Sequence, residues 1–519
     1  MSPSRWTRAC ALEDIYPDSG VCALIDGQQV AVFRVRGGVY AIGNHDPASG
    51  ANVLARGIVG DLGEELVVAS PIYKQHFSLI TGRCLEEPQL SVPIFPARIS
   101  DGQVWVRGEP IVQRAQGAKR RLIVIGNGMA AMRTLEELLE LAPNAYDISV
   151  FGAEPLGGYN RILLSPLLAG VKRVEEIVTH PSEWFRERGI ALHSGDPIVQ
   201  IDRVRRRVRS RSGIETSYDR LLIATGSLPI KLPVPGRDLA GVVTFRDLQD
   251  VDAMLEAAGQ HRRAVVIGGG LLGLEAASGL KLQGMSVTVV HLCEHLMERQ
   301  LDAHAAALLR EELEGRGLQF VMPAKTLQIQ GSNRASGVQL ADGCEIPADL
   351  VVMAVGVRPN VELARAAGLR CENGVLVDDT LLTYDPAIYA VGECVQHRDR
   401  TFGLVAPLWE QARVCAAHLA ERGARRYRGT HCSTQLKVSG IDVFSAGDFS
   451  AQQGTESLVL RDPKRGIYKR LVIEQGRVRG AVLYGDTRDG GWYVDLINEG
   501  RNVSALRDQL LFGAPAEAS

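Results

Sequence analysis

The sequence lacks the paired cysteines that disulfide chemistry needs. Nine cysteines are scattered over 519 residues, and no two of them form a CxxC or CxxxxC pair. This spacing excludes a dithiol redox centre built from neighbouring residues and gives no framework of structural disulfides. We therefore expect the cysteines to be small, mostly apolar side chains in a reducing compartment.

An excess of charge of either sign is missing as well. Lys and Arg number 58 against 60 Asp and Glu, which gives a net charge of -2, so no global field favours nucleic acid or a membrane surface. No apolar run approaches the roughly 20 residues that span a bilayer, and the opening residues lack the apolar core of a leader peptide. We expect a cytoplasmic protein without nucleic-acid or membrane partners.

Apolar residues, at 45%, and glycine, with 55 copies, are abundant enough for several cores of ordinary domain size. The N-terminal part reads as short strands separated by Asp-Gly and Gly-Gly turns, and two later stretches each read as strand, glycine turn and helix. The predicted fold is multidomain, with an all-β domain, two α/β Rossmann-like domains and a C-terminal α+β domain. The predicted boundaries are 1–110 for the all-β domain, 111–121 for a linker, 122–240 and 346–416 for the two parts of the first Rossmann-like domain, 241–345 for the second, and 417–519 for the α+β domain.

The first glycine turn lies between an apolar strand and an amphipathic helix. In RLIVIGNGMAAMRTLEELLEL, Gly126 and Gly128 take the first two glycine positions of a dinucleotide-binding loop, and Ala131 takes the third. Small residues there let backbone N–H groups approach a pyrophosphate at the helix N-terminus. The next strand ends near Glu154, a carboxylate placed to accept a ribose hydroxyl. The pattern predicts a dinucleotide site.

The second turn repeats this pattern with all three glycines, Gly268, Gly270 and Gly273. Its second strand, SVTVV, ends at His291, where a site selective for NAD carries a carboxylate. A histidine could bind a 2′-phosphate, or it could be a surface residue without influence on the choice. The sequence therefore leaves NADH and NADPH both open.

Two further runs extend the pattern: YDRLLIATGSLP contains Ala224-Thr225-Gly226, and DPAIYAVGECVQH contains Gly392 and Glu393. Together with the two glycine loops and LVVMAVGVRPN, they resemble, in order, the pyridine nucleotide-disulfide oxidoreductase-like superfamily of flavoproteins. The resemblance covers the chain from Leu122 to about Ala416. It implies an FAD-binding domain, an NAD(P)-binding domain, and FAD with NADH or NADPH as cofactors.

The same resemblance assigns further residues to the cofactor sites. It implies that Glu393 contacts the FAD ribityl or pyrophosphate, that Val405 lies beside the isoalloxazine, and that Gly356 lies where the chain returns to the FAD domain. Asn160 and Arg161 resemble residues over the flavin, although a turn residue and a surface ion pair are the alternatives for them.

The segment from Tyr159 to Gly170 contains no cysteine, so neither a disulfide reductase nor a thiol peroxidase is expected. Electrons should leave the flavin directly for an external acceptor. Cys394 has no partner in sequence and is expected in the core. Glu275 is a candidate for orienting the nicotinamide, with a solvated helix residue as the alternative. No catalytic acid or base is assigned, because the cofactor carries the hydride chemistry.

Within the superfamily, GNGMAAMRTLEELL, GGGLLGLEAA, RQLD and IYAVGEC most resemble the FAD- and NAD(P)H-binding half of the large subunit of assimilatory NAD(P)H-nitrite reductases. The match extends into LKVSGIDVFSAGD. That large subunit continues into an iron–sulfur segment and a sirohaem domain that have no counterpart in this sequence. The resemblance therefore implies that electrons pass to a separate nitrate or nitrite reductase polypeptide.

The N-terminal part resembles the small subunit of the same enzymes, a Rieske-like β-domain. A Rieske cluster needs C-x-H and C-x-x-H loops, but the corresponding positions read Asp46-Pro47-Ala48 and Ser70-Pro71-Ile72-Tyr73. His45, His76 and Cys84 lie nearby without restoring the spacing. No 2Fe–2S cluster and no other metal is expected, and the two loops are predicted to serve in contact with the flavin domains or with the acceptor.

The predicted function is an FAD-dependent NAD(P)H oxidoreductase that feeds a nitrate or nitrite reductase catalytic subunit in nitrogen assimilation. Two alternatives stay open. One is a stand-alone NAD(P)H oxidase or a ferredoxin- or rubredoxin-type reductase. The other is a redox-sensing interaction protein. A homodimer through the C-terminal domain is also left open.

Overall fold

The computed structural model describes residues 6–63, 65–87, 89–111, 119–422, 425–430, 433–438, 440–450 and 453–514. Within these ranges, no helix combines the length and the apolar character needed to cross a bilayer. The predicted linker 111–121 falls mostly on residues 112–118, which lie outside the described ranges.

The N-terminal domain consists of three antiparallel sheets joined by tight turns. Two hydrophobic clusters built from its own residues fill the space between the sheets, one centred on Phe33 and Phe77 and the other on Ile25 and Phe95. Its strands, in the order of each sheet, are Trp6–Ala11, Gln103–Arg107 and Ala97–Ser100; Ser19–Ile25, Gln28–Val35, Gly38–Gly43 and Ile94–Phe95; and Ile58–Leu62, Glu65–Ala69 and His76–Ser78. Short 3-10 helices lie at Leu12–Asp14 and Leu54–Arg56.

The first α/β domain is built on a parallel sheet whose central strands are buried on both faces. Such burial explains the unbroken apolar run of the strand Arg120–Ile125. The strand order is Ala191–His193, Tyr146–Phe151, Arg120–Ile125, Arg220–Ile223 and Ile388–Ala390. The helices Met129–Leu141 and Val405–Leu419 pack against each other. Because adjacent strands are parallel, their carboxyl ends meet at one edge of the sheet.

Smaller elements of this domain cover and extend the sheet. They include a three-stranded antiparallel sheet, three two- or three-stranded ribbons and four short helices. The strands are Ile198–Asp202, Arg207–Ser210 and Glu215–Ser217; Gly158–Tyr159 and Val178–His180; Ser227–Pro229 and Val357–Pro359; and Val375–Val377, Val395–His397 and Arg400–Thr401. The helices are Leu164–Leu168, Val174–Ile177, Ser182–Glu187 and Glu362–Ala366, with a 3-10 turn at Arg161–Leu163.

The second α/β domain repeats the parallel design. Its strand order is Val242–Thr244, Leu350–Met353, Arg263–Ile267, Ser286–Val290 and Gln319–Val321, and its helices are Leu248–Gln260, Leu271–Leu282 and Ala303–Gly315. An antiparallel sheet of Thr326–Gly331, Ala335–Leu340 and Glu345–Pro347 covers one side. In both domains the strand that precedes the glycine turn lies near the centre of the sheet, which places the turn at the carboxyl edge.

The C-terminal domain is a five-stranded antiparallel sheet with one helix. Its strand order is Ser433–Val438, Ile441–Gly447, Arg477–Tyr484, Ile467–Glu474 and Thr455–Asp462, followed by the helix Gly490–Glu499 and 3-10 turns at Ser504–Leu506 and Leu510–Phe512. The helix covers one face of the sheet. The other face shares a hydrophobic cluster with the second α/β domain, so this domain is packed onto its neighbour.

The predicted fold class agrees with these four units, but three predicted boundaries differ from the element bounds. The strand Leu350–Met353, placed by prediction in 346–416, pairs with Arg263–Ile267 in the second sheet. The strand Arg120–Ile125 starts inside the predicted linker, and the helix Val405–Leu419 runs past the predicted start of the C-terminal domain at 417. The physical reason is common to all three: sheet pairing and helix packing set element ends, and neither is local in sequence.

Candidate functional site

The first glycine turn combines a position that admits only glycine with open space at the N-terminus of the following helix. Gly126 has a φ of +103°, and a Cβ there would meet the Ala224 carbonyl oxygen at 2.3 Å, so only glycine fits. By contrast, a Cβ on Gly128 would meet nothing within 4 Å. Gly128 is also the N-cap of the helix Met129–Leu141, which has no side-chain cap. The first helical turn therefore has no side-chain acceptor at its N-cap, and the space beside Gly128 is open, as an anion site requires.

The second glycine turn has the same design. Gly268 has a φ of +120°, and Gly273 packs so closely that a Cβ would lie 1.9 Å from the Gly268 carbonyl oxygen. Gly270 has open space around its Cβ position and precedes the helix Leu271–Leu282, which again has no side-chain cap. The two turns thus have the same geometry at two separate helix N-termini. Gly356, with a φ of +111°, lies after the strand Leu350–Met353 at the same edge of the sheet.

A cavity of about 1210 Å³ lies between the two α/β domains. It exceeds the roughly 300–1,000 Å³ usual for one small ligand, so it has room for more than one ring system. Eleven predicted site residues line it: Gly126, Gly128, Glu154, Arg161, Ala224, Thr225, Gly226, Glu275, Gly392, Glu393 and Val405. The predicted residues outside its lining are Ala131, Asn160, Gly268, Gly270, Gly273, His291 and Gly356.

Two of these outlying residues have structural partners of their own. Ala131 is fully buried in the first helix, where a small side chain permits close packing. The Asn160 side chain accepts a hydrogen bond from the Ile162 N–H at 3.0 Å and caps the 3-10 turn Arg161–Leu163. For Asn160, this contact is the turn role that the sequence left as the alternative.

Two carboxylates of the cavity are paired with arginines. Glu154 forms an ion pair with Arg161 and accepts a hydrogen bond from the Tyr159 hydroxyl at 2.7 Å. Glu393 forms an ion pair with Arg246 and accepts a hydrogen bond from the Ser227 hydroxyl at 2.8 Å. The Arg161 guanidinium also donates to the Arg246 carbonyl oxygen at 2.8 Å, so the two pairs are connected across the cavity wall.

Arg246 and Ser227 were missed by the sequence analysis. Arg246 follows the strand Val242–Thr244 of a parallel sheet by two residues, and Ser227 follows Ala224-Thr225-Gly226 directly. Side chains just beyond the carboxyl ends of parallel strands face the ligand crevice. That position in sequence was a signal that could have identified both residues.

Glu275 connects the two domains at the cavity. It accepts a hydrogen bond of 2.5 Å from the Ser165 hydroxyl, which lies on the helix Leu164–Leu168 of the first domain. Burial raises the pKa of Glu275 to about 7, and the Ser165 hydrogen bond opposes this shift only in part. A carboxyl group that can carry a proton near neutral pH therefore lies in the wall of the cavity, and it is not a solvated helix residue.

His291 is buried and committed to protein contacts. The Gly269 N–H donates to its Nδ1 at 3.0 Å, and its Nε2 lies 3.1 Å from the His295 carbonyl oxygen. Because a carbonyl oxygen only accepts, Nε2 carries the proton. The alternative of a surface histidine is therefore wrong, and neither ring nitrogen is free for a 2′-phosphate. The Cys293 and Glu298 side chains place their sulfur and oxygen atoms within 4.8 Å of the ring nitrogens.

Cys394 lies in the core next to Glu393. Its thiol is fully buried and donates to the Val391 carbonyl oxygen at 3.3 Å. Burial raises the pKa of this thiol to about 11. Cys394 is thus a protonated thiol at neutral pH and has no reactive thiolate character.

The two predicted loops of the N-terminal domain meet each other. The Ser70 hydroxyl donates to the Asp46 carboxylate at 2.7 Å, as does the Ser49 hydroxyl, and the Ala48 N–H donates at 2.9 Å. Asp46 and Ser70 are fully buried, whereas Tyr73 is 63% exposed. Burial by itself would raise the pKa of Asp46, but these hydrogen bonds outweigh it and lower the pKa. An oxygen network occupies the place where a Rieske cluster would need thiolate and imidazole donors, so these residues do not fit a cluster.

The fold and the cavity together define a class of protein. Two parallel α/β domains with open glycine turns, joined at a cavity without a thiol pair in its described lining, are the framework of a two-dinucleotide oxidoreductase. The comparisons with known families lead to the same class. Residues 120–420 match the pyridine nucleotide-disulphide oxidoreductase family, 5–107 match the Rieske-like [2Fe-2S] domain, and 433–501 match the rubredoxin NAD+ reductase C-terminal domain. The chain belongs to the pyridine nucleotide-disulphide oxidoreductase family, and membership implies FAD and NAD(P)H as cofactors.

Known relatives narrow the comparison. The chain is 45% identical over 386 residues to a nitrite reductase [NAD(P)H] of Bacillus subtilis, a match of 74% of this chain and 48% of the relative. It is 42% identical over 393 residues to the assimilatory nitrate reductase electron transfer subunit of the same organism, a match of 76% and 51%. The chain therefore spans about half the length of these relatives. A solved ferredoxin reductase from Rhodopseudomonas palustris matches 71% of this chain and 91% of its own, with 28% identity and a TM-score of 0.65.

Proposed function

We propose that the protein is an FAD-dependent NAD(P)H oxidoreductase that delivers electrons to a separate nitrate or nitrite reductase polypeptide in nitrogen assimilation. The observation that supports this proposal most directly is the cavity. It joins the two glycine-turn domains through the Ser165–Glu275 contact, and the cysteine beside it is a buried, protonated thiol. The likeness to the two Bacillus subtilis relatives named above supports a nitrate or nitrite reductase as the acceptor class.

The chain's own residues divide the cofactor work between them. In the proposal, the backbone N–H groups after Gly128 bind the FAD pyrophosphate. Glu154 and Glu393 accept hydrogen bonds from FAD hydroxyl groups, and Val405 lies beside the isoalloxazine ring. The N–H groups after Gly270 bind the nicotinamide nucleotide. When bound, the flavin supplies the hydride acceptor and the source of single electrons.

Glu275 is proposed to orient the nicotinamide. Its carboxyl group lies at the domain junction, and its raised pKa lets it donate or accept a hydrogen bond near neutral pH. Arg246 and Arg161 are proposed to hold Glu393 and Glu154 in place, since each forms an ion pair with its carboxylate in a half-buried setting.

The N-terminal domain is proposed to carry no 2Fe–2S cluster. Its loops at Asp46 and Ser70 are proposed to contact the flavin domains or the electron acceptor. The positions that correspond to Rieske cluster ligands hold the Asp46–Ser70 network, and the exposed Tyr73 and Ile72 lie on the same loop as Ser70. Iron analysis of the purified protein tests this proposal, because stoichiometric iron would contradict it. Deletion of residues before Arg107 should spare flavin reduction and impair transfer to the true acceptor.

The central experiment is anaerobic reduction of the yellow protein by NADH or NADPH, followed by mixing with candidate nitrate and nitrite reductases. We expect the matching reductase to reoxidise the flavin faster than air does. Gly270→Glu is the matched control, because it blocks the nucleotide site but leaves the first glycine turn intact. Photoreduced Gly270→Glu protein should still deliver electrons. If no candidate reductase outpaces air, the proposed function is wrong.

A ferredoxin- or rubredoxin-type reductase is the second candidate. The match of 433–501 to the rubredoxin NAD+ reductase C-terminal domain and the likeness to a solved ferredoxin reductase favour it. The same mixing experiment decides between the two candidates when ferredoxin and rubredoxin are added as acceptors. Fast reoxidation by either small protein, with none by the reductases, would select the second candidate.

A cytoplasmic location and a homodimer through the C-terminal domain remain parts of the proposal. Both faces of the three central strands, Ile441–Gly447, Arg477–Tyr484 and Ile467–Glu474, are covered by other described residues of the chain, so the proposed dimer would use an edge of the sheet. The strand Thr455–Asp462 lies at such an edge. Light scattering of the full chain measures the oligomeric state, and a monomer would remove the dimer from the proposal.

A further inference from the structure

The strand Ser286–Val290 ends without the carboxylate that usually reads the adenosine ribose of NAD. The residue at that position is His291. Its Nδ1 accepts a hydrogen bond from the Gly269 N–H, and its Nε2–H donates to the His295 carbonyl oxygen at 3.1 Å. A carboxylate oxygen of Glu298 lies 3.3 Å from the same Nε2. With both nitrogens engaged, the ring supports the glycine turn and brings a carboxylate to the end of the strand.

The loop that carries Glu298 is anchored to the same glycine turn. The Met297 N–H donates to the Gly269 carbonyl oxygen at 3.1 Å. A Cβ on Gly269 would meet the Leu296 side chain at 2.7 Å and the His291 ring at 2.8 Å, so this glycine is required by their packing. These contacts on both sides of the turn fix the residue that follows, Glu298. Its side chain is 38% exposed, whereas that of His291 is 8% exposed.

The chemistry of this arrangement distinguishes the two nicotinamide nucleotides. A partly exposed carboxylate beside the turn accepts a hydrogen bond from a ribose 2′-hydroxyl, as the usual strand-end carboxylate does. The same carboxylate repels a 2′-phosphate, because like charges at short range are unfavourable. The neighbouring charged groups on the loop are Glu294 and Arg299, and both are exposed.

We propose that Glu298, held by His291 and the glycine turn, reads the 2′-hydroxyl of the adenosine ribose and makes the protein selective for NADH over NADPH. This inference rests on the proposed function, in which the second glycine turn binds the nicotinamide nucleotide. It identifies a specificity residue seven positions beyond the strand end, brought back to that end by the tertiary structure.

The test compares anaerobic flavin reduction by NADH and by NADPH in the wild type, Glu298→Gln and Glu294→Gln. The wild type should be reduced faster by NADH, and Glu298→Gln should lower the NADH-to-NADPH ratio of the second-order rate constants of flavin reduction by about tenfold. The change should lie in the apparent Kd of the nucleotide and not in the limiting rate of reduction, because the ribose is remote from the hydride. Glu294→Gln, which removes a neighbouring charge on the same loop, should keep the wild-type ratio. Glu298→Asp keeps the charge on a shorter arm and should give an intermediate ratio, which guards against a folding defect.

Equilibrium binding of ADP-ribose and of 2′-phospho-ADP-ribose gives a second readout that needs no flavin reduction. A wild-type preference for NADPH, or a Glu298→Gln ratio equal to that of Glu294→Gln, would overturn the inference. Loss of NADPH use in Arg299→Gln together with an unchanged ratio in Glu298→Gln would assign the selection to Arg299 instead. If neither nucleotide reduces the flavin but ADP-ribose binding depends on Glu298, the proposed function fails and the inference stands.

Discussion

Two regions of the molecule differ in how their polar groups are hydrogen-bonded: the loops that carry Asp46 and Ser70, and the glycine turn at Gly128. At the first place, the Ser70 hydroxyl donates to the Asp46 carboxylate at 2.7 Å, and both side chains are fully buried. At the second, nothing lies within 4 Å of a Cβ built on Gly128, and the following helix has no side-chain cap. Where the polar groups of two loops form hydrogen bonds with each other, none is left to bind a ligand. The N–H groups of an uncapped helix N-terminus, in contrast, can donate hydrogen bonds to a ligand.

The same contrast separates two buried carboxyl groups. Asp46 accepts hydrogen bonds from the hydroxyls of Ser49 and Ser70 and from the Ala48 N–H, and its pKa is lowered although burial opposes this. Glu275 is also shielded from water, but among the described residues the Ser165 hydroxyl is its one hydrogen-bond donor, and burial raises the pKa of Glu275 to about 7. The number of donors around each group decides the sign of the shift. A carboxyl group with several hydrogen-bond donors suits a structural site. One with few donors suits a site that binds a ligand.

The largest effect on cofactor content is expected from a side chain that fills the open space beside Gly128. Gly128→Glu places a carboxylate where a pyrophosphate would bind, and like charges about 4 Å apart cost about 4 kcal/mol at an effective dielectric constant near 20. Flavin content, measured from the absorbance of the purified protein, should fall at least about tenfold. Gly128→Ala, which meets open space, should retain the fold and most of the flavin. Equal flavin content in Gly128→Glu and the wild type would break the comparison.

The next effect concerns the satisfied tip. Asp46→Ala removes the acceptor of three hydrogen bonds and leaves two hydroxyls without it, which should destabilise the N-terminal domain by about 2–3 kcal/mol. Hydrogen exchange of the full chain, read in the segments around Asn44 and Ser70, measures the loss. Glu13→Ala, at an exposed position of the same domain, serves as the control. A flavin content that changes with Asp46→Ala would show that the two sites are coupled.

The pH dependence of stability should have opposite signs at the two acids. The contribution of Asp46 is present above the usual aspartate pKa and is lost as pH falls through its lowered folded value. The contribution of Glu275 to the free energy of unfolding is fully present below its ordinary pKa of 4.5 and is lost as pH rises through its folded pKa of about 7. Melting temperatures of Glu275→Gln and the wild type should therefore diverge between these two pH values. Parallel curves would show that Glu275 is not buried in solution.

The smallest effect should come from one hydrogen bond of the satisfied tip. Ser49→Ala removes a single hydroxyl donor to Asp46, 2.7 Å away, and should cost about 0.5–1.5 kcal/mol. The same hydrogen-exchange segments report the change, and Asp46→Ala gives the upper limit. A loss as large as that of Asp46→Ala would mean that the network acts as one cooperative unit and not as separate bonds.

Much of the fold and of the cavity could be predicted because the relevant patterns are local. The strand, glycine turn and helix around Gly126 and around Gly268 follow from apolar runs and from positions that admit only glycine. Arg246 could not be assigned with the same ease, since its partner Glu393 lies 147 residues further along the chain. The ends of the domains do not follow from such local patterns, because the strand Leu350–Met353 joins a sheet whose other strands come earlier in sequence.

The sequence by itself determined the two dinucleotide folds, the family, and the absence of paired cysteines, because each depends on residue type at short spacing. The tertiary structure alone decided what fills the N-terminal loops, where Asp46 and Ser70 meet across 24 positions. It also decided that His291 is buried, and that Glu298 lies at the end of the strand Ser286–Val290. Hydrogen bonds and ion pairs join atoms that are close in space, and closeness in space is set by packing over the whole chain.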